Sequence, residues 1–583
     1  MLRYFNFQEQ LVVICLLGVV RLYPSLFGAP ALWPLLVDVV CVFSIVHLVG
    51  GYLGFLLKNL RRLPELAAEW TTSRDSLRTL AIVREFSVWS AVLFLVLRIS
   101  RWSLGWEAGL RLQGVEHYDN YSDAALLLLG LSWLLSGRRV LRKLGRIDLT
   151  SGRRLLFSYA VLVLGGTLLL LLPVSLQPGQ QLKIVDAAFT VVSAITVTGL
   201  TSVNVPEVFS LTGLSLILAL IQVGGLGVIV ITAGLAAATW RRLSLNQSMM
   251  SKELYDIPDF GNMPQFLAKV TLLTFTLELL GTFFLFFSLP VELENRFFHA
   301  LFHSVSAFCN AGFSTLPANL ENSPFAGWGL GLICFLIVAG GLGFPLHFEM
   351  LQTFRASRHQ RCLSANSKLT LAVTIGLLVV GALSIFVMQS FSKGFELPIE
   401  TRFWQSIFYS VSSRTAGFNM VPVAELGSTC VLVILFLMFV GGGPMSTAGG
   451  IKTTTLGVLL ATAWATVKGQ RGPHFMKRAI PDMTVHRAVT GIILYMLLGS
   501  IATILLVLIE NVDPWVLVFE VVSAMSTVGL SLGATSELSH TGKTLVILLM
   551  LIGRIGLVTF VYAGIGRRET QRYKYPQDSF FVG

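Results

Sequence analysis

Charge is scarce in this chain. Asp, Glu, Lys and Arg make up 13% of 583 residues, against about 25% in a soluble domain, which excludes an ordinary water-soluble fold. Cysteine is also scarce: Cys15, Cys41, Cys309, Cys334, Cys362 and Cys430 show no CxxC spacing and fall mostly inside apolar runs, so neither a disulfide framework nor a zinc site is implied. A Walker A sequence is missing, and the Gly-rich segments lie inside apolar runs instead of opening a helix after a strand; nucleotide control would have to come from a partner. The first apolar stretch has no small-residue cleavage site and is followed at once by a second, the pattern of a retained helix and not of a signal peptide.

What the chain has in abundance is apolar length. The hydrophobic fraction is 54% and the mean hydropathy +0.74. Runs of roughly 17 to 25 apolar residues, each long enough to cross a bilayer core of about 30 Å as a helix, recur near 9–27, 33–57, 83–99, 122–136, 155–174, 210–238, 266–289, 326–350, 369–390, 428–466, 486–510 and 543–565. The formal charge of +12 has a topological reading. With the N-terminus inside, about 31 Lys and Arg fall on cytoplasmic segments and about 9 on external ones, the positive-inside bias. Both termini are therefore expected in the cytoplasm, and no nucleic acid is implied. The clusters Lys58/Arg61/Arg62 and Arg138/Arg139/Arg142/Lys143/Arg146 would also attract anionic membrane lipid.

Between long runs, one short phrase is written four times: Phe189–Gly199, Phe302–Gly312, Phe408–Gly417 and Phe519–Gly529, each apolar, Ser-bearing and ended by glycine. Self-similarity on this scale reports architecture. From about residue 153 the order is long span, external loop, short run, glycine, external loop, long span and basic connector, four times over. The short runs, ten to twelve residues as helices, would measure about 15 to 18 Å, so they are re-entrant. Extended backbone at membrane depth is tolerated only beside a water-filled cavity. Each short helix would aim the negative end of its dipole at a common axis, and the segments after it would line that axis with carbonyls: Thr196, Val197, Thr198, Gly199; Cys309, Asn310, Ala311, Gly312; Arg414, Thr415, Ala416, Gly417; Ser526, Thr527, Val528, Gly529. Carbonyl rings that replace a hydration shell are how potassium filters work.

The second spans carry their own repeat: Gly224-Gly-Leu-Gly227, Gly340-Gly-Leu-Gly343, Gly441-Gly442-Gly443-Pro444 and Gly553-Arg554-Ile-Gly556. In the first two copies close helix packing and a hinge remain equal readings. In the third, Gly441, Gly442, Gly443, Pro444, Gly449 and Gly450 put five glycines and a proline into ten residues. Gly and Pro cost about 1 and 3 kcal/mol each inside a helix, so a loop at membrane depth, a natural gate, is expected there. Lys452 follows it, and Arg554 replaces glycine in the fourth copy; intramembrane charge is a functional candidate by default. The alternatives are that Lys452 snorkels to the interface and Arg554 ties helices through backbone carbonyls.

These residues bring the chain to a family. Through the four filter phrases, the run Ser412-Ser-Arg-Thr-Ala-Gly-Phe-Asn419, the run Thr447-Ala-Gly-Gly-Ile-Lys-Thr-Thr-Thr455 and the Gly-Arg-Ile-Gly at 553, residues 153–570 resemble the Trk/Ktr/HKT superfamily of potassium transporters, of bacterial TrkH or KtrB type. The resemblance implies an all-α integral membrane protein with four covalently linked membrane-pore-membrane units around one pore. The expected bounds are 1–150 for about four extra N-terminal helices, 151–245, 246–362, 363–480 and 481–575 for the units, and 576–583 for a cytoplasmic tail. It further implies gated potassium uptake across the bacterial cytoplasmic membrane, an intramembrane gating loop, an arginine beneath the filter, a homodimer, and a cytoplasmic nucleotide-binding regulatory subunit docked on the connectors at 241–269, 355–368 and 468–487. No cofactor is implied; potassium is the cargo, with coupling to sodium or protons left open. Glycine at all four filter positions is the potassium-preferring pattern.

Two other classes compete. A twelve-span carrier of an organic solute predicts two halves related by symmetry, against which the fourfold phrase counts. A membrane enzyme would draw on Glu278, Asp186, His299, His303, Glu520, His347 and Glu349. They are read as a scattered set without metal-ligand spacing, better explained by capping, water contact or cation attraction.

Overall fold

The computed structural model describes residues 151–238, 263–321, 323–355, 363–391 and 398–556. The four expected N-terminal spans, the two basic clusters before residue 150, Cys15, Cys41, Cys362, most of the connector at 241–269 and the expected tail lie outside the described residues.

The described chain is helical. Four stretches follow one plan: α1 (Ser151–Leu170), α2 (Ile184–Thr196) and α3 (Leu211–Ala238); α4 (Met263–Ser288), α5 (Arg296–Cys309), α6 (Gly327–Leu342) and α7 (Phe344–Arg355); α8 (Ala365–Phe391), α9 (Ile399–Ser412), α10 (Ser428–Met438) and α11 (Thr453–Val467); α12 (Asp482–Ile509), α13 (Pro514–Ser526) and α14 (His540–Ile555). They are numbered one to four below. A two-residue hairpin, β1 (His474–Phe475) and β2 (Arg478–Ala479), joins the third to the fourth, with His474 opposite Ala479. Among the described residues, three helices are long and apolar enough to cross a membrane, and a fourth if α6 and α7, bent by 97°, count as one span.

The opening helix of stretch two shows why a bilayer, and not water, is the solvent. Along α4 the buried positions are Val270, Thr274, Glu278, Thr282 and Leu285, while Leu272, Phe275, Leu279, Phe283 and Phe287 are exposed. Spacing of three and four residues puts each set on one face, and the polar groups are on the inside. Water would favour the reverse.

The short helices are the buried centre. They run to 13 or 14 residues, slightly longer than expected, so each is about 20 Å long. Local chemistry starts the fourth: Asp513 accepts the Trp515 amide at 2.9 Å ahead of Pro514, a capped first turn with proline where its missing N–H costs nothing.

Their packing is cyclic. Phe302 of stretch two is buried in the apolar cluster of stretch one, Phe408 of three in that of two, and Phe519 of four in that of three. Phe189 of stretch one is buried in the cluster of four. The same residue of the repeated phrase thus joins each stretch to its predecessor, and the last contact closes on the first.

Every second helix breaks at one level. The glycine at the fourth position of the repeated motif has positive φ in three copies: 81° at Gly227, 92° at Gly343 and 88° at Gly556. The first glycine of the same motif is a packing glycine, since a Cβ would strike the carbonyl of Ile195 at Gly224, of Phe308 at Gly340 and of Met525 at Gly553. Packing and hinge are therefore both present, three residues apart.

Candidate functional site: a ring of four glycines and the loop beneath it

Each short helix ends in the same backbone figure. Two residues before the terminal glycine, φ is positive at Val197 (56°), Asn310 (60°), Thr415 (71°) and Thr527 (53°), and it is positive again at Gly199 (92°), Gly312 (68°), Gly417 (75°) and Gly529 (94°). Asn tolerates that region; Val and Thr do not, and each such residue stores on the order of 1–3 kcal/mol that its surroundings must hold. In stretches one, two and four the positive-φ residue and its successor bond back to the helix, as in Val197 N to Ala194 O at 3.1 Å and Thr198 N to Ser193 O at 2.8 Å. The third phrase is one residue shorter, and there Ala416 and Gly417 both donate to Ser412 O, at 3.0 and 3.2 Å. The deletion is absorbed in the helix end and the glycine keeps its place.

The four glycines touch in sequence order. A Cβ on Gly199 would meet the Ala311 carbonyl and the Gly312 Cα; on Gly312, the Ala416 carbonyl and Gly417; on Gly417, the Val528 carbonyl and Gly529; on Gly529, the Thr198 carbonyl and Gly199. Only glycine fits at each step, because both the positive φ and the neighbouring backbone exclude a side chain. Above the ring is a cavity of about 230 Å³ lined by Gly199, Gly312, Gly529, Ser314, Asn319 and Ser531 among others, none of the lining residues being charged.

Side chains hold this ring from behind. The serine four residues after the repeated Phe was not singled out from sequence, although it recurs in all four phrases. Ser193 and Ser523 accept the N–H of Gly199 and Gly529 at 3.0 and 3.1 Å. Ser306 and Ser412 instead donate to the carbonyls of Phe313 and Phe418 at 2.7 and 2.6 Å. Of the four residues named per phrase, the first has its side chain bonded in every copy, in three of them to a surrounding element. Thr196 bonds Thr198 at 2.8 Å, Cys309 contacts Glu278 at 3.6 Å and Ser526 bonds Tyr495 at 2.6 Å. Arg414 donates to the carbonyls of Gly441 at 2.8 Å and Thr374 at 3.4 Å, so its charge is directed at α8 and the start of the loop after α10.

The titratable residues near the short helices brace the segments after the glycines. Asp186 holds Ser202 at 2.7 Å and pairs with Lys543 of stretch four at 2.8 Å. His303 bonds Ser314 at 2.9 Å and His299 bonds Thr315 at 2.6 Å. Tyr409 bonds both polar backbone groups of Val421. Glu520 accepts from Ser531 at 2.5 Å, Thr535 at 2.6 Å and the Leu532 amide at 3.1 Å. His299 and His303 do stand four residues apart on one helix face, a spacing metal sites use, contrary to the reading of the set as lacking it; each already has a hydroxyl partner. His347 and Glu349 bond Gly343 O and Ser364 N elsewhere.

Beneath the ring, α10 stops at Met438 and α11 starts at Thr453. The loop between them is pinned at its base by Gly441 N to Ile451 O at 2.9 Å and Thr453 N to Gly442 O at 3.0 Å. It lies against the broken α6–α7 corner through Gly443 N to Gly341 O at 2.8 Å, Thr447 N to Gly340 O at 3.3 Å and Phe344 N to Met445 O at 3.2 Å. Gly449 and Gly450 face Thr527 and Ser526 of the fourth phrase. Lys452 folds back onto the loop, donating to Ala448 O at 2.7 Å. Arg554 donates to the carbonyls of Thr447 in the loop and Gly224 in α3. Both cations thus bond backbone carbonyls, and the arginine clasps the loop to stretch one.

A family model described as TrkH, cation transport protein, matches residues 158–571. The chain belongs to the TrkH family of cation transport proteins. Relatives include the Ktr system potassium uptake protein B of Vibrio alginolyticus, 34% identical over 75% of this chain and 97% of that protein, and that of Bacillus subtilis, 32% identical over 75% and 98%. The potassium/sodium uptake protein NtpJ of Enterococcus hirae is 32% identical over 76% and 99%. Among solved structures, the potassium transporter TrkH from Vibrio parahaemolyticus superposes with a TM-score of 0.60 at 18% identity, covering 83% of this chain and 98% of the other. That likeness establishes the shared helical fold. The TrkH family is one of transport proteins, and its membrane setting accords with the apolar helices found here.

Proposed function

We propose that the chain takes up potassium across the bacterial cytoplasmic membrane through a pore at the centre of the four stretches, each acting as one membrane-pore-membrane unit. The observation that carries this reading is the closed ring of glycines, each denied a side chain by the backbone of the next. A ring built from backbone presents carbonyl oxygens to its axis, and carbonyl oxygens substitute for the water shell of a large monovalent cation. The segments ending at Gly199, Gly312, Gly417 and Gly529 form the filter, and the loop 441–450 with Lys452 and Arg554 forms the gate below it. The relatives named for potassium uptake support the choice of ion. The driving force is the membrane potential, about 2.3 kcal/mol per charge per 100 mV. As in a Trk or Ktr system, a homodimer works with a cytoplasmic nucleotide-binding regulatory subunit, and anionic lipid meets the basic cytoplasmic segments. The pore units span 151–245, 246–362, 363–480 and 481–575.

The test is growth of a potassium-uptake-deficient bacterium at low potassium, with and without this chain and a co-expressed regulatory subunit. Growth restored at low potassium is expected; none, with normal membrane expression, would overturn the reading. The potassium/sodium name of one relative motivates a second reading, in which sodium also permeates. Tracer sodium uptake in the same cells distinguishes the two.

A further inference from the structure

The first residue of each filter segment is tied from behind, and three of the ties draw in a surrounding helix. In stretch four, Ser526 bonds Tyr495 of its own opening helix. In stretch three, Arg414 reaches Thr374 O and Gly441 O, both in its own stretch. Stretch two differs. Glu278 stands on α4, 24 residues before Phe302, the same interval that separates Tyr495 from Phe519. Its side chain is 2% exposed. One carboxylate oxygen accepts from Cys309 Sγ at 3.6 Å and the other from Gln222 Nε2 at 3.0 Å, and Gln222 belongs to α3 of stretch one.

Gln222 lies two residues before Gly224, whose carbonyl is held by Arg554. Arg554 also holds the Thr447 carbonyl, and the Thr447 hydroxyl donates to Phe308 O at 3.2 Å, one residue before Cys309. The missing side chain of Gly225 is the seat of the Cys309 sulfur. Gate loop, arginine clasp, inner helix, carboxylate and filter segment therefore form a closed circuit of contacts around the junction of stretches one and two. A buried carboxylate is costly unless its acceptor sites are filled, and here the donors come from the two elements that the gate touches.

We propose that Glu278 is a positioning residue that locks the second filter segment to the inner helix of the first stretch, so that release of the gate loop is felt as a change in ion selectivity at that quarter of the ring. This rests on the potassium-pore reading. Gate state and selectivity are then linked through Gln222, Glu278 and Cys309, and among the described residues the first filter residues of the other stretches are tied within their own stretch.

The experiment measures potassium flux and the potassium-to-sodium permeability ratio in liposomes holding the full chain. Glu278→Leu removes both acceptors and is expected to lower the ratio about tenfold, the scale of one buried hydrogen bond lost. Glu278→Gln keeps one acceptor oxygen and places an N–H where the second was, which a turned Gln222 amide oxygen or the Cys309 sulfur can accept, and it is expected to stay within about twofold of wild type by the same reasoning. Gln222→Leu combined with Glu278→Leu should be no worse than Glu278→Leu alone, as expected of residues acting in one network. Arg554→Ala should shift the ratio in wild type and leave it unmoved in Glu278→Leu. A wild-type ratio in Glu278→Leu, or effects of the two substitutions that multiply, would overturn the proposal. Where Glu278→Leu does not reach the membrane, Cys309→Ala against Cys309→Ser carries the test: equal ratios overturn it. Wild-type liposomes that pass no potassium overturn the pore reading instead, an outcome distinct from a selective wild type with indifferent variants.

Discussion

The ring of glycines and the layer directly beneath it are built from the same four repeats and have opposite character. In the ring, four copies converge on one backbone figure even where the third phrase is a residue short. In the layer below, the same motif yields a hinge in stretches one and two, a ten-residue loop in three and a hinge with a half-buried arginine in four. A site that surrounds one ion must be alike on all sides, whereas an obstruction needs one side to intrude. On the pore reading proposed above, selectivity belongs with what is repeated and gating with what is not.

The largest effect that would break this division is expected at the ring. Gly199→Ser places a Cβ against the Ala311 carbonyl and forces φ of 92° on a residue with a side chain, a strain of about 1–3 kcal/mol. It should raise sodium permeation relative to potassium about tenfold or more, read as tracer sodium and rubidium uptake. An unchanged preference would remove the carbonyl-filter assignment. Next comes the lower layer, where Arg554→Ala deletes two charge-assisted bonds to the Thr447 and Gly224 carbonyls, each worth about 1.5–3 kcal/mol. Flux should increase several-fold in liposomes, and equal or lower flux with normal expression would make the arginine structural.

A smaller effect separates halves of the ring itself. Ser193→Ala leaves the Gly199 N–H without its acceptor, whereas Ser306→Ala leaves a carbonyl, that of Phe313, without its donor. Orphaned buried N–H groups are tolerated less well than under-satisfied carbonyls, so Ser193→Ala should lower the thermal midpoint in detergent more, by about 1 kcal/mol equivalent. Equal losses would mean that the two arrangements are interchangeable. The smallest effect lies outside the membrane. Burial, with the Glu425 carboxylate nearby, raises the Glu321 carboxyl above its ordinary value of 4.5. The folded protein then binds this proton more tightly than the unfolded chain, so the group costs stability as pH rises above 4.5 and costs none below it. Glu321→Gln should flatten that part of the stability profile, and an unchanged slope would show that the proton is not held.

Much of the helical plan was legible along the chain. The expected spans at 266–289, 369–390 and 486–510 correspond to α4, α8 and α12, because each carries an apolar run of membrane-crossing length that needs no partner to be seen. The Gly-Pro run announced its own loop through helix propensity. The hinges at Gly227 and Gly343 were only half legible, since one glycine for close packing and one for positive φ look alike in a sequence. The side chains that hold the ring from behind were not legible at all. That Ser193 accepts while Ser306 donates depends on how the backbone after each short helix is turned, and nothing in the two phrases differs at the serine itself.

The sequence alone determined the solvent, the fourfold repetition, and where repetition fails, because composition and self-similarity are local properties of the chain. Tertiary structure decided the rest. It alone brought Gly529 back against Gly199 and laid the loop of stretch three on the corner of stretch two. The clasp of Arg554 across 330 residues to Gly224 and the carboxylate of Glu278 between two stretches were decided in the same way. The ring and loop contacts join backbone groups, which every residue carries, and those of Arg554 and Glu278 join residues far apart in the chain, so neither kind leaves a mark in the local order of side chains.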